Sequence, residues 1–467
     1  MAQENIELVS HLLRRAGFGA SMKEVEAYAQ KPYEEIVEDL INPERFPEYD
    51  DDLEQRYLFG FMLGDAFAEQ QAAWILRMIN SDRPLEERMT LFWHHLFATG
   101  WNKNEHALAS GQQIDMLREY CLTDLRTLLI ELSKNPNMIG WLDNCENHKD
   151  SPNENYGREI MELFSMGLGN YTELDIKNAA RAFTGWTMTQ CIPLYPFGFY
   201  NADFEFREDD HDNGEKSFLG ESGNLDGYDI IDIIIKQPAT AAFISRHLYN
   251  FFVADEPQVP AWNIQPPNDP AAVELLSKAF TQSGGDIRTI LRVLFNADFF
   301  KNARFEKIKS PVDLVVGTVK ITGTHKIPQP NVTDLSSATA IMGQILMDPP
   351  TVEGWHTGQE WIDSGTLTER VNFATKQMED TDSPGIIDII DRIKSKGSHI
   401  SPELFLDHCL ELMGPISVDA STKSGLLDYA KETKGLTFGN AEEDQQSTEK
   451  IRAMLQLIVA CPEYQFA

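Results

Sequence analysis

The sequence has little positive charge, few cysteines and no long apolar run. Forty Lys and Arg residues stand against seventy-three Asp and Glu residues, which gives a net charge of −33. This charge repels phosphate backbones and anionic membranes, so the composition argues against a nucleic-acid-binding protein. The densest basic stretch, at residues 301–309, is better explained as a solvated helix end than as a nucleic-acid site.

The five cysteines are scattered and form no CxxC pair, which argues against a zinc site or a disulfide framework. They favour a reducing compartment. No segment approaches the ~20 consecutive apolar residues of a membrane-spanning helix. The first residues also lack the basic and apolar regions of a signal peptide. As written, the sequence therefore predicts a cytoplasmic protein without a membrane span.

The apolar residues, 42% of the chain, follow helical spacing over most of its length. We therefore expect an all-α, mostly helical fold with long irregular loops and a buried core. A proline-rich stretch at residues 257–270 is the best internal boundary. It predicts an N-terminal helical region, residues 1–256, and a C-terminal helical region, residues 257–467, packed together as one compact body.

A loop at residues 187–229 interrupts the helical pattern of the N-terminal region. Its aromatic residues at 197–200 and 204–206 flank a short turn at 201–203. This arrangement predicts one small β-hairpin-like excursion within a fold that is otherwise helical.

The most informative segment lies at residues 151–164. Ser151 before Pro152, with Glu154 three positions after Ser151, matches a capping box that starts a helix. Glu154 then has a complete structural explanation. A second capping box, Thr172 with Asp175, starts the following helix after a glycine-containing turn.

Beyond the first cap, helical geometry places Asn155, Arg158, Glu159 and Glu162 on one polar stripe, opposite an apolar face. One interpretation is a solvated face with an ion pair between Arg158 and Glu162, at i,i+4 spacing. The other is an acid–base or metal-ligand stripe that lines a cleft. In a cleft, low dielectric would separate the two carboxylate pKa values and give them different roles.

Four further segments carry polar or aromatic residues with two interpretations each. Arg181, on the second helix, either binds an anionic group or pairs with a carboxylate. His211 and Asp212 supply a general base or divalent-metal ligands if their loop folds over the Glu159 helix, and an exposed turn explains them equally well. Calcium is weakly supported, because that loop lacks the alternating carboxylates of an EF-hand.

Adjacent His94 and His95 lie in an apolar helix, where consecutive residues point about 100° apart and cannot both face one site. A hydrogen-bonded core position explains either histidine better than a metal ligand does. Trp355, in a glycine-containing loop, either fills the core or lines a pocket where it stacks on a planar ligand.

These segments resemble a bacterial family named domain of unknown function 1800. The resemblance covers nearly the whole chain and runs through residues 11–19 (HLLRRAGFG), 92–97, 142–144, 152–164 (PNENYGREIMELF), 167–186, 211–220, 309–311 and 343–370. It implies a helical protein without an established activity, often secreted and often encoded beside a partner that resembles the alkaline phosphatase and sulfatase group. Its recurring polar residues match Asn153, Glu154, Asn155, Arg158, Glu159, Glu162, Arg181, His211, Asp212 and Lys216, which favours the cleft interpretation.

We therefore expect an enzyme of hydrolytic type, with acid–base or metal-assisted chemistry on an anionic or polar substrate. The predicted catalytic residues are Glu159, Glu162, His211 and Asp212. The predicted substrate-binding residues are Asn153, Asn155, Arg158, Arg181, Trp186, Lys216 and Trp355. The candidate ligands of a divalent metal are His94, His95 and Asp143. The alternative is a non-catalytic binding or assembly protein in which the same polar network stabilises the helical core.

Overall fold

The computed structural model describes residues 2–57, 67–190 and 202–467. Helices dominate these residues, which confirms the predicted all-α class. In chain order the helices are α1 (Ala2–Arg15), α2 (Met22–Tyr28), α3 (Tyr33–Ile41), α4 (Asp52–Tyr57), α5 (Phe67–Asn80), α6 (Pro84–Leu96), α7 (Trp101–Asn104), α8 (Ala107–Tyr120), α9 (Leu125–Lys134), α10 (Pro136–Trp141), α11 (Glu154–Glu162), α12 (Glu173–Ala182), α13 (Gly227–Ile235), α14 (Pro238–Phe252), α15 (Pro270–Ser283), α16 (Ile287–Asn296), α17 (Asp298–Asn302), α18 (Pro311–Thr322), α19 (Thr333–Ile341), α20 (Ser364–Gln377), α21 (Pro384–Lys394), α22 (Pro402–Leu412), α23 (Ala420–Glu432) and α24 (Ala441–Ala460).

Short strands form three two-stranded antiparallel sheets within the described ranges. The strands are β1 (Trp186–Met188), β2 (Phe204–Phe206), β3 (Lys216–Phe218), β4 (Glu221–Gly223), β5 (His399–Ile400) and β6 (Leu436–Thr437). The pairs are β1 with β2, β3 with β4, and β5 with β6. Short 3-10 turns cover Pro43–Arg45, Asn144–Glu146, Glu208–Asp210, Val259–Ala261, Gly358–Trp361 and Pro462–Gln465.

The strand pairing of the loop excursion differs from the sequence prediction. Residues 204–206 form β2, but their partner is β1, with Trp186 opposite Phe206. The predicted partner at residues 197–200 lies outside the described residues. A second hairpin, β3–β4, turns at Leu219 and Gly220, and both have the positive φ that a type I′ turn requires. The described part of the excursion therefore contains two small antiparallel ribbons, β1–β2 and β3–β4.

Most buried apolar side chains of the described residues lie in two large core clusters that touch each other, and a small third cluster contains Ala109, Ile139, Met188 and Ala202. The first cluster collects side chains from α1–α3, α6 and α8–α17, and the second collects them mainly from α5 and α18–α24. Phe251 and Leu412 pack against both clusters. The first cluster continues through α15 and α16 and so includes side chains on both sides of the predicted boundary between residues 256 and 257. The division of the chain into two helical regions at this boundary therefore stays a prediction. Among the described helices, none has both the length and the apolar character needed to span a membrane.

Candidate functional site

The helix at the centre of the informative segment, α11, starts two residues later than the capping box predicts. Its N-cap is Asn153, whose side-chain oxygen accepts a hydrogen bond from the Asn155 backbone N–H at 2.9 Å. Ser151 instead pairs through its backbone with His148, in an isolated antiparallel bridge. The predicted Ser151 cap is therefore wrong, because this bridge holds Ser151 outside the helix. The predicted capping box of α12, Thr172 with Asp175, is confirmed.

The two faces of α11 meet different surroundings. Gly157 faces α12 so closely that an added Cβ would lie 2.8 Å from the Ala180 backbone nitrogen. At about 100° per residue, Glu159 and Glu162 lie about 160° and 140° away from Gly157 around the helix. The carboxylates therefore point away from α12. The tight contact with α12 fixes the direction in which they point.

The last turn of α11 carries both carboxylates and no basic residue. A helix C-terminus presents unpaired carbonyl groups and a negative end of the helix dipole, so acidic side chains are unfavourable there. The predicted pair between Arg158 and Glu162 does not form. Arg158 instead pairs with Glu173 at 3.2 Å and with Glu154 at 3.5 Å, which turns its charge away from the last turn.

Glu159 is half-buried, and burial raises its pKa to about 7. The negative charge of Glu162 adds to this pKa increase, Arg158 opposes it, and the charge of Glu353 adds a smaller increase. Glu162 accepts a hydrogen bond from the Tyr171 hydroxyl. Burial, together with the hydrogen bond to Glu162 and its charge, raises the pKa of Tyr171, so this phenol keeps its proton. The site thus contains a carboxyl group whose pKa is raised towards neutrality beside a carboxylate that accepts a hydrogen bond.

A cavity of about 280 Å³ opens at this end of α11. Its carboxylates are Glu162 and Glu353, and its wall is mostly apolar. The apolar lining includes Leu163, Met166, Phe243, Val259, Trp262 and Val273, from α11, α14, α15 and the segment between them. This volume is close to the lower end of the range for small-molecule pockets. The cavity fits a small ligand or one group of a larger ligand.

The cation that lines the cavity, Arg246, is already engaged. Its guanidinium pairs with buried Glu256 at 2.7 Å and donates to the carbonyl oxygens of Gln265 and Pro266. It also stacks on Trp262, with the guanidinium carbon 4.4 Å from the ring centroid. Arg246 therefore shapes the cavity wall, while the carboxylates give the cavity its charge.

Glu353 belongs to the site, and the sequence analysis missed it. It precedes Gly354, whose positive φ and close approach to the His95 carbonyl leave no room for a Cβ atom. The next residue, Trp355, donates its backbone N–H to His95 Nδ1 at 3.2 Å. The available signal was a glycine and a tryptophan directly after an acidic residue. Only folding shows that this loop lies on α6 and faces α11.

The candidate metal ligands do not come together. His94 and His95 are buried, and both rings contact Trp355, whose large indole spans the angle between them. Burial lowers the pKa of His94 to about 3 and of His95 to about 4. Asp143 pairs with Lys103 at 2.8 Å. The described part of the chain contains no group of three or more His, Cys, Asp or Glu side chains arranged for a metal ion.

Arg181, Asp212 and Lys216 form a separate polar cluster. Arg181 Nε donates to Asp212 at 2.6 Å, and this hydrogen bond lowers the pKa of Asp212. Lys216 Nζ donates to the Asp212 and Gly214 carbonyl oxygens. His211 Nδ1 lies 2.8 Å from the Thr184 carbonyl oxygen, which can only accept. These contacts fasten the loop to α12 and do not reach the cavity at Glu162.

The remaining predicted ligand-binding residues lie outside the cavity at Glu162. Asn155 is exposed and donates to Asp143 at 3.4 Å, and Asn153 is used as the N-cap. Trp355 fills the core. Trp186 is buried beside Phe204 and, together with His211, lines a second cavity of about 320 Å³ next to β1 and β2. The polar residues singled out between positions 153 and 216 are called the motif block here. The structure separates them into two neighbourhoods, one around Glu159 and Glu162 and one around Arg181 and Asp212.

Comparison with known proteins adds a family and no activity. A family model described as "Protein of unknown function (DUF1800)" matches residues 11–466. No curated protein and no solved structure matches the chain.

Proposed function

The chain belongs to the DUF1800 family of proteins of unknown function, and we propose that it is an acid–base enzyme whose active site is the cavity at the C-terminal end of α11. Glu159 acts as the proton donor and acceptor, and Glu162 with Tyr171 positions the second carboxylate. The observation that carries this proposal is the pKa of Glu159, raised to about 7 in the same helical turn as Glu162, which lines the cavity. A group with a pKa near the working pH transfers protons most efficiently.

The positions of Glu159 and Glu162 support a catalytic role for these residues more than a purely stabilising role. Two carboxylates at a helix C-terminus and a third brought by Glu353 repel each other and the helix dipole. A protein under selection for stability alone would not collect them in one half-buried place. Such clusters are found where two carboxyl groups with separated pKa values share acid and base roles.

The ion pairs of the nearby arginines indicate which charge the substrate can carry. Arg158, Arg181 and Arg246 each pair with a carboxylate of the protein itself. The cavity lining retains Glu162 and Glu353, and its wall is largely apolar. Negative potential repels an anionic group. We therefore propose an uncharged or cationic substrate group on an apolar body, in place of the anionic substrate that the sequence suggested, and a hydrolytic reaction.

The test uses a panel of nitrophenyl substrates: an uncharged ester, an uncharged glycoside, a cationic ester and a phosphate. We expect turnover of an uncharged or cationic member. Its kcat should fall about 100-fold or more in Glu159→Gln, as loss of a general acid or base requires. Glu154→Gln, at the other end of the same helix, is the matched control and should retain kcat. Turnover of only the phosphate, or an unchanged kcat in Glu159→Gln, would contradict the proposal.

A substrate-independent measurement checks the proton on Glu159. Dicyclohexylcarbodiimide is apolar and reacts with protonated carboxyl groups, so at pH 7 we expect mass spectrometry to find its adduct at Glu159. Labelling should decrease above pH 7 as the carboxyl ionises. Glu353→Gln removes one negative charge and should move the pH midpoint downward. Labelling that ignores both pH and Glu353 would show that Glu159 does not hold the proposed proton.

A non-catalytic role is favoured for one part of the motif block. Arg181, Asp212 and Lys216 bond to each other and to backbone carbonyl groups, and they fasten the 211–216 loop to α12. We infer that this cluster stabilises the fold, while the opposite side of α11 serves the chemistry. Substitutions in the two neighbourhoods should therefore have different effects, on stability in one case and on turnover in the other.

A further inference from the structure

A third, smaller cavity lies in the interior, between α6, α14, α18 and the loop that carries Trp355. Its volume is about 30 Å³. Since a buried water needs roughly 10 to 15 Å³, the space is enough for about two waters or for one monatomic ion. Phosphate, sulfate or an organic acid would not fit. Its wall is mostly apolar, and the residues with polar groups in the lining include Arg88, His247, Lys307, Asp313 and Trp355.

Two of these side chains carry hydrogen-bond donors without an acceptor. Arg88 is 2% exposed and Trp355 is 4% exposed, so water outside the protein does not reach them. Among the described residues, Arg88 Nε and Trp355 Nε1 have no hydrogen-bond partner. Both nitrogens can only donate. Leaving a buried donor unsatisfied is unfavourable, so the cavity is expected to hold an acceptor for both.

Three side-chain acceptors around the cavity are already engaged, whereas His247 Nε2 has no partner among the described residues and can donate or accept according to its tautomer. Asp313 accepts from Arg88 and from the Ser310 backbone N–H. The side-chain oxygens of Asn250 and Gln344 each accept a backbone N–H, from Glu256 and Val312 respectively. A water molecule donates two hydrogen bonds as well as accepting them. The surplus of donors in the lining favours an occupant that only accepts.

The charges near the cavity also favour an anion as its occupant. Arg88 pairs with Asp313, and Lys307 pairs with Asp255 at 2.6 Å, so these four charges cancel. Arg15 is 1% exposed and donates to the carbonyl oxygens of Val253 and Ala303. Within the described ranges, no carboxylate lies within ion-pair distance of Arg15.

Burial has the largest effect on the pKa of Arg15, and the charges of Asp255, Arg88 and Asp313 shift this pKa further. Arg15 therefore interacts electrostatically with both ion pairs. Three buried cations therefore face two carboxylates, in a protein whose overall charge is strongly negative. Lys309 and Arg370 also lie close to Asp313, and burial lowers the pKa of Lys309 to about 7 and that of Arg370 to about 10. A single monovalent anion would compensate one of these charges.

We propose that this cavity binds one monatomic anion, chloride, held by Arg88 Nε–H and Trp355 Nε1–H. The site is distinct from the cavity at Glu162 and does not depend on the proposed catalytic activity. Because Trp355 follows Glu353 by two residues, the anion sits beneath the loop that brings Glu353 to the catalytic cavity. Chloride binding would hold that loop on α6.

The test compares the melting temperature of the full chain in sodium chloride and in sodium gluconate at equal ionic strength and pH. Gluconate is too large for the cavity. An ion that binds only the folded state raises the melting temperature with the logarithm of its concentration. We expect a chloride-specific increase of about 1 to 2 °C for each tenfold rise in chloride above the dissociation constant.

Trp355→Phe removes one of the two donors and keeps an aromatic ring, so the chloride-specific increase should fall by at least half. Trp93→Phe is the matched control. Trp93 is also fully buried, but its Nε1 already donates to the Cys121 carbonyl at 2.9 Å, so this variant should keep the full increase. Equal melting temperatures in the two salts, or an undiminished increase in Trp355→Phe, would overturn the proposal in favour of a water-filled cavity.

A crystallographic measurement needs no variant. Crystals of the unmodified protein soaked in sodium bromide should show an anomalous peak in the cavity, within hydrogen-bond distance of Arg88 Nε and Trp355 Nε1. A cavity that contains only water after the soak would refute the anion site.

Discussion

The replacement Glu159→Gln tests the central electrostatic argument through stability alone. The folded protein holds this carboxyl at a pKa of about 7, against 4.5 in an unperturbed chain. The unfolded chain therefore loses this proton at lower pH than the folded protein does. Below pH 4.5 the carboxyl is neutral in both states and has no effect. Between pH 4.5 and 7 the unfolded chain loses the proton while the folded protein keeps it, so the stability falls over this range and levels off above pH 7, where folding buries the negative charge.

The size of this effect follows from the pKa difference. The full difference corresponds to about 3 kcal/mol above pH 7. Because Glu159 is only half-buried, solvent screens part of it, and roughly half remains, about 1.5 kcal/mol. Gln carries no charge, so the variant should be more stable than the unmodified protein at pH 8.5. At pH 5.5 the advantage should be less than half as large.

Scanning calorimetry at both pH values measures the difference. For a chain of this length, 1 kcal/mol corresponds to about 1 °C in the melting temperature, so we expect an increase of about 1 to 2 °C at pH 8.5. Glu154→Gln, in the first turn of α11, controls for loss of a carboxylate from the same helix and should show no comparable pH trend. A Glu159→Gln variant that is less stable at pH 8.5 would refute the reasoning, since it would mean that the fold stabilises the charged carboxylate.

Two further predictions concern the structural neighbourhood of the motif block. Asp212→Asn removes the charge that Arg181 pairs with at 2.6 Å, and it should lower the free energy of unfolding by about 2 kcal/mol in urea titrations, whereas Asp209→Asn on the same loop should have little effect. Gly157→Ala should destabilise by about 1 to 3 kcal/mol, because its Cβ would lie 2.8 Å from the Ala180 nitrogen, although alanine is the better helix former. Gly425→Ala, in α23, meets no atom within 4 Å and should instead stabilise by about 1 kcal/mol. Equal signs for the two glycine variants would contradict the close contact between α11 and α12.

Local patterns predicted the elements well wherever the decisive contacts are themselves local. The capping box of α12 needs only Thr172 and Asp175, three residues apart, and it forms. The cap of α11 was misassigned because a backbone bridge from His148 to Ser151 competes for the start of the helix. β2 of the predicted hairpin pairs with β1 at the start of the loop, and the predicted partner at residues 197–200 lies outside the described residues.

In the candidate site, too, the features set by local contacts could be predicted and those set by distant segments could not. The polar stripe that joins Glu159 and Glu162 follows from the 3.6-residue helical repeat, so it could be recognised without coordinates. The ion pair of Arg158 could not be recognised from the sequence, because its partner Glu173 belongs to the next helix, α12. The separation of Asp212 from Glu162 could not either, because it depends on which side of α11 the 211–216 loop lands.

The sequence by itself determined the helical class, the direction of the polar stripe and the family to which the chain belongs. Helical periodicity and caps are short-range properties of the backbone, and the sequence records them directly. Only the tertiary structure decided that Glu353 joins the two carboxylates of α11 and that Glu159 has a pKa near neutrality. That pKa depends on burial and on charges from distant segments, and both arise only when the chain packs.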